Sequence, residues 1–272
     1  MNTSIVAAAI QMVSVDCVAD NLARADALLA KAAGEGAGLA VLPENFAFMG
    51  RAERAALDIA EADGQGAIQD FLADRAAYYN LTLVGGSVPL VAAEPDRVRS
   101  ACLVYGPDGA RIARYDKRHL FDVSLPGGEG YRESATFSPG NAVIVADTPA
   151  GRLGLSICYD LRFPEHYRAL VDAGAEILLA PSAFTATTGA AHWSVLIRAR
   201  AIENLCFMVA PGQGGRHASG RSTHGESMVV DPWGVVLDDC PVAGGEGVAI
   251  ATLEPEHQAG LRAQLPALSH RR

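Results

Sequence analysis

The stretch L-G-L-S-I-C-Y-D-L-R-F-P-E, residues 153–165, decides how the chain is read. Leu153, Leu155 and Ile157 alternate with Gly154 and Ser156, which is the period of a β-strand. Cys158 follows directly, and Pro164 suits the first turn of a helix, where its missing N–H costs nothing. The stretch therefore predicts a strand-to-helix connection with a thiol at the carboxyl end of the strand. Reactive groups of open α/β sheets gather at that end. The bland alternative is a small buried hydrophobe, the usual fate of a free cysteine.

Two further runs end in the same way. G-L-A-V-L-P-E-N-F (38–46) reads as a buried strand ending in Pro43 and Glu44, and A-R-I-A-R-Y-D-K (110–117) as a strand ending in Lys117. Taken singly, Glu44 is a turn or salt-bridge residue and Lys117 a solvated lysine. Side by side, the three strands would converge Glu44, Lys117 and Cys158 on one pocket. A thiol with an ordinary pKa near ~8.5 needs a base or a cation before it attacks at neutral pH. Glu44 can be that base. The Lys117 ammonium and the backbone N–H of Tyr159 can hold an oxyanion, so the trio fits acyl transfer through a thioester.

The rest of the chain bounds this reading. Its 272 residues suffice for one large α/β domain, and the net charge of −9 argues against a nucleic-acid surface, which needs Lys and Arg to neutralise phosphates. No apolar run approaches a membrane span, and the first residues lack the basic start of a signal peptide, so a soluble cytoplasmic protein is expected. Five scattered cysteines without CxxC pairs argue against disulfides and structural metal. The late Gly-rich stretch G-Q-G-G-R-H-A-S-G-R-S (212–222) matches no nucleotide-binding pattern and reads as a loop at a pocket rim.

Ten β-like runs alternate with helical patterns at about 21–33, 66–79, 164–173 and 191–204, and a short helix precedes a basic tail. Short Pro/Gly links such as Y-G-P-D-G-A-R imply hairpins. A mixed sheet or a two-sheet sandwich with outer helices is expected rather than a doubly wound parallel sheet.

Seven segments in order, A-A-I-Q-M, L-P-E-N-F, Y-D-K-R-H-L-F-D-V, Y-R-E-S-A-T-F-S-P-G, G-L-S-I-C-Y-D-L-R-F-P-E, H-W-S-V-L-I-R-A-R-A-I-E-N and M-V-V-D-P-W-G, resemble the nitrilase superfamily of carbon–nitrogen hydrolases. The resemblance spans nearly the whole chain. It implies one α-β-β-α sandwich domain over 1–272, paired into homodimers or larger assemblies, with the last fifteen or so residues packing at a subunit interface. It further implies Glu44 as general base, Lys117 as oxyanion stabiliser and Cys158 as nucleophile. Glu133 of Y-R-E-S is implied as the second glutamate beside the lysine, with Glu129 as the alternative. No metal or organic cofactor is implied, and the partner is a small amide.

Within the superfamily, C-Y-D-L-R-F-P-E and Y-R-E-S-A-T-F-S-P-G resemble the amidase branch that contains ω-amidase and deaminated glutathione amidase. True nitrilases carry tryptophan where Tyr159 stands, and carbamoylases carry paired arginines where this chain has Leu161 and Arg162. A carbamoylase, another amidase and a catalytically silent binding protein stay open as alternatives. Arg162 is a candidate for a substrate carboxylate, against a structural pair with Asp160 or Glu165. His224 and Glu226, where relatives show Tyr and His, are candidates for altered specificity if their segment lines the pocket. His119 is a candidate support for Lys117. Trp193 and Ile197, four residues apart, are expected to pack together.

Overall fold

A computed structural model of the chain describes residues 3–124, 128, 130–242 and 244–272. Glu129 lies outside them. Two mixed sheets form the frame, as the hairpin links imply. In the first, strands run in the order Gly247–Leu253, Ile5–Gln11, Leu39–Val41, Thr82–Val84, Val98–Tyr105, Val88–Val91, and Arg111–Asp116 also pairs with Val98–Tyr105. In the second the order is Val236–Asp239, Met228–Val230, Phe207–Ala210, Ile177–Leu179, Gly151–Gly154, Val145–Thr148. The first and last long strands of the chain pair antiparallel along their whole length, from Ile5 opposite Leu253 to Gln11 opposite Gly247.

Alternation along the strands sorts the side chains into layers. Ala7, Ala9, Leu39, Val41, Val84 and Val104 pack in one cluster with Leu153, Ile177, Leu179 and Val209 of the second sheet. Their neighbours Ala8, Ile10, Ala40, Leu42, Leu83 and Leu103 pack instead with helices α1 (Val18–Gly34) and α2 (Ala67–Tyr79) through Ala25, Leu29, Leu72 and Ala76. Helices α3 (Pro164–Asp172) and α4 (Ala186–Asn204) cover the other face of the second sheet with Tyr167, Leu170, Trp193 and Ile197. The order is therefore helix, sheet, sheet, helix. Trp193 and Ile197 are both buried, as their spacing implies.

Helix α4 starts at Ala186, five residues before the periodic pattern. Its start is fixed by a cap: Thr188 N donates to Thr185 Oγ1 at 3.1 Å. The run L-T-L-V-G-G-S-V-P divides into two strands, 82–84 and 88–91, because Gly86 passes against the Glu44 loop. Gly86 has φ +42°, and a Cβ there would lie 2.0 Å from Pro43 O. A fifth helix, α5 (Pro255–Gln264), ties the C-terminal region to its own chain. Gln258 Nε2 donates to Glu176 O and Leu205 O, and Arg262 Nε to Leu205 O. Among the described residues no helix is long and apolar enough to cross a membrane.

Candidate active site

The segments that follow strands Leu39–Val41, Arg111–Asp116, Gly151–Gly154 and Ile177–Leu179 lead to one cavity of about 740 Å3. Glu44, Lys117, Glu133 and Cys158 all line it. The Lys117 ammonium sits between two carboxylates, 2.8 Å from Glu44 Oε1 and 2.9 Å from both oxygens of Glu133. The second Glu44 oxygen accepts from Ala183 N at 2.9 Å, and Glu133 Oε2 accepts from Phe121 N at 2.6 Å. Lys117 is 2% exposed and Glu44 5%, so both charges are outside bulk water and each is fixed by more than one bond. Burial would lower the Lys117 pKa, but Glu133 and then Glu44 outweigh it and hold the ammonium well above its usual value. Burial pushes the Glu133 carboxyl up, against the pull of Lys117.

Cys158 opens a short 3-10 turn, Cys158–Arg162, with φ +47°, a left-handed conformation that L-residues rarely adopt. The strain is held by neighbours on both sides. Cys158 N donates to Pro181 O at 2.9 Å, and Arg200 of α4 donates twice to Leu161 O, at 3.0 and 2.9 Å. In this turn Asp160 N bonds Ile157 O at 3.1 Å. The Tyr159 N–H is then the donor with no partner inside the turn, beside the thiol. Burial, and next the Glu44 carboxylate, push the Cys158 thiol well above its usual value, with Lys117 opposing. The sulfur is held as a thiol in the same cavity as the Glu44 carboxylate whose charge raises it. Such a group attacks only as its proton is removed, and Glu44 is the carboxylate of the same cavity able to remove it.

A family described as carbon-nitrogen hydrolase matches residues 6–262. The chain belongs to that family. Deaminated glutathione amidase of Synechocystis sp. (strain PCC 6803 / GT-S) is 45% identical over 270 residues, which cover 97% of each protein. The NitFhit protein of C. elegans superposes with a TM-score of 0.90 at 37% identity over 99% of this chain, which spans 65% of that longer chain. Saccharomyces cerevisiae Nit3, a member of branch 10 of the nitrilase superfamily, superposes with a TM-score of 0.88 at 30% identity, covering 99% of this chain and 97% of Nit3. The α-β-β-α sandwich implied by the seven segments is the fold these neighbours share.

Around the central cluster, this carbon–nitrogen hydrolase departs from the sequence reading in three places. Arg162 makes neither of the structural pairs expected of it. Among the described residues no carboxylate lies within ion-pair distance of its guanidinium, which stands 5.9 Å over the Tyr159 ring and 5.2 Å over the Phe184 ring, with Nη1 3.2 Å from His192 Nδ1. It lines the cavity.

His224 and Glu226 do not line it, which corrects the placement of the S-T-H-G-E-S segment in the pocket wall. They bond each other, Nε2 to Oε2 at 3.0 Å, behind the first turns of α4. Gly189 of α4 packs so closely that a Cβ there would lie 2.2 Å from the His224 Cβ.

The third departure is Asp160, which the motif passes over. Its fully buried carboxylate accepts from Tyr115 Oη at 2.6 Å, His119 N at 3.0 Å and Ile157 N at 2.8 Å, and contacts His119 Nδ1 at 2.7 Å. One side chain thus joins the Lys117 loop to the Cys158 turn. Burial would raise its pKa, but the His119 hydrogen bond leads the opposing contacts, with His166 and Tyr115 after it, and keeps it low. His119 also stacks on Phe163, centroids 3.7 Å apart. Further cavity groups missed in the sequence are Glu53, Tyr131 and Arg221. Arg221 lies in the Gly-rich loop, which does stand at the rim. Among the described residues no group of three or more His, Cys, Asp or Glu is placed to hold a metal.

Proposed function

We propose that the chain is an amidase that cleaves a small carboxylate-bearing amide through a thioester on Cys158. The observation that carries this is the Lys117 ammonium, fixed between Glu44 and Glu133 in the cavity that Cys158 also lines. Glu44 takes the thiol proton while the sulfur attacks the amide carbon. Lys117 and the Tyr159 N–H hold the developing oxyanion. Glu44 then gives the proton to the leaving nitrogen, and the C–N bond breaks to leave the thioester. Water, giving its proton to the same carboxylate, releases the acid and the thiol. Glu133 fixes Lys117 throughout. Arg162, with few protein partners, receives a carboxylate of the acyl half.

The relatives named deaminated glutathione amidase, together with Arg162 in the wall, favour a 2-oxoglutaryl acyl group. Release of 2-oxoglutarate from α-ketoglutaramate and from deaminated glutathione tests this, with Cys158→Ala as blank. Turnover is expected on at least one, falling roughly 10⁴-fold or more in the variant with its melting transition retained. Silence of the wild type on both, or residual turnover in pure Cys158→Ala, overturns the assignment.

The molecule works as a homodimer in this reading. Val195 and Ile202 of α4 are exposed, 68% and 46%, beside exposed Trp233 and Val235, an apolar surface suited to a second copy. The C-terminal tail extends beside α3, where Arg271 pairs with Asp172, and packs at that interface. Five free cysteines suit the reducing cytoplasm.

A further inference from the structure

Among the described residues five arginines line the cavity: Arg51, Arg54 and Arg132 are exposed, and of the two half-buried ones, Arg162 and Arg221, the catalytic reading leaves Arg221 unused. Arg221 stands 4.9 Å over the Tyr131 ring, whereas Arg162 stands over Tyr159. Phe121 lies between those two rings, 5.2 Å from Tyr131 and 5.1 Å from Tyr159. The two cations are therefore set on different rings of one aromatic row.

Two facts fix which half of a substrate Arg221 meets. Its Nη2 donates to the carbonyl of Ala183, the residue whose own N–H holds Glu44 Oε2. Arg221 is thus on the side of Glu44, and the leaving nitrogen must also be there to collect a proton. Moreover, the fold uses little of this guanidinium. An arginine offers five N–H donors. Buried Arg200 spends its donors on Leu161 O, twice, and Glu203. Arg221 spends one on protein oxygen, and its Nε is enclosed with no hydrogen-bond partner among the described residues. A cavity-lining cation so incompletely satisfied is a group awaiting an anion. Glu53, across the wall, offers limited competition: burial raises its carboxyl above the usual value, with Arg221 opposing, and it forms no ion pair with Arg221.

We propose that Arg221 forms a second anion subsite, which binds a carboxylate on the leaving-amine half of the substrate. Of the two substrates considered above, the one with a carboxylate on its leaving-amine half, deaminated glutathione, is then favoured by Arg221 over the primary amide. This rests on the amidase reading above. The cavity volume is within the range of small-ligand sites and admits a molecule of that size.

Three probes with one acyl group separate the possibilities: α-ketoglutaramate, whose leaving group is ammonia; deaminated glutathione, whose leaving dipeptide ends in a carboxylate; and the same compound with that carboxylate capped as the carboxamide. Steady-state kinetics are measured for wild type, Arg221→Met and Arg221→Lys, with melting curves to establish folding. The ratio of kcat/KM for deaminated glutathione to that for α-ketoglutaramate is expected to fall about 10- to 100-fold in Arg221→Met, the range for a charged hydrogen bond, mainly through KM. Arg221→Lys is expected to recover part of it. Capping should cost wild type a similar factor and cost Arg221→Met little more. An equal loss on all three probes would place Arg221 at the acyl half and overturn the proposal, as would an unchanged ratio. Wild-type silence on all three is a different failure: it overturns the acyl assignment, and the subsite with it.

Discussion

Cys158 combines the reacting sulfur with a left-handed backbone, φ +47°, which costs an L-residue about 1–2 kcal/mol. Glycine removes that strain but loses more chain entropy, about 0.5–1 kcal/mol. Between two inactive variants, Cys158→Gly is therefore expected to be more stable than Cys158→Ala by roughly 0.5–1 kcal/mol, read as a melting point higher by about 2 °C. An Ala variant equal to or above Gly would show that the turn carries no strain. At this scale the sequence displayed the reacting groups, because Glu44, Lys117 and Cys158 each end a β-like run and chemistry restricts their types. Asp160 and Arg221 were hidden for the opposite reason. The Asp160 partners Tyr115 and His119 are more than forty positions away, and Arg221 sits in a loop with no period to read. His224 and Glu226 were misplaced because a changed motif says nothing about which way α4 packs over it.

Two elements meet at Asp160: the loop after Arg111–Asp116, which carries Lys117, and the turn that carries Cys158. Replacement by Asn turns an acceptor of several donors into a group that presents its own N–H₂ to them. Asp160→Asn is expected to lose about 3 kcal/mol or more of stability and, where it still folds, to lower kcat more than it raises KM, since the shift is between catalytic elements. Denaturant titration and steady-state kinetics check both; a change confined to KM would remove the joining role. Ten of the strand regions were legible because alternation and β-branched content agree there. The start of α4 was less so: T-A-T-T-G-A has poor helix formers and no apolar stripe, and only the Thr185 cap and the fit of Gly189 to His224 make it helical.

Across the whole molecule, acid should loosen the sandwich before it protonates the carboxylates. His166 and His217 are buried, and burial leads the causes that hold both imidazoles below the usual 6.5. His166 Nε2 faces Leu155 O at 3.1 Å, and its Nδ1 accepts from Arg118 at 3.2 Å, a pattern of the neutral ring. The unfolded chain takes up these protons at a higher pH than the folded one. Their stabilisation is thus complete above 6.5 and is lost as pH falls through that value toward the folded pKa. Asp160, held below its usual 3.8, adds a second loss as pH falls below about 4, by the same linkage. Urea midpoints should change little from pH 7.5 to about 6.5 and then fall toward pH 5; a flat profile below 6.5 would show that the two rings do not titrate differently on unfolding. The architecture itself was legible as a mixed-sheet sandwich, because hairpin links between β-like runs exclude an all-parallel sheet.

The pairing of Ile5–Gln11 with Gly247–Leu253 carries a consequence for how the protein is made. On the ribosome the first strand leaves the exit tunnel about 240 residues ahead of its neighbour, at synthesis rates of about 5–20 residues per second. The sheet that carries Glu44 and Lys117 keeps an open edge for all of that time. A nascent chain can therefore hold every catalytic side chain and still lack a finished enzyme, and a stop codon just short of residue 247 would be far more damaging than one just after α5.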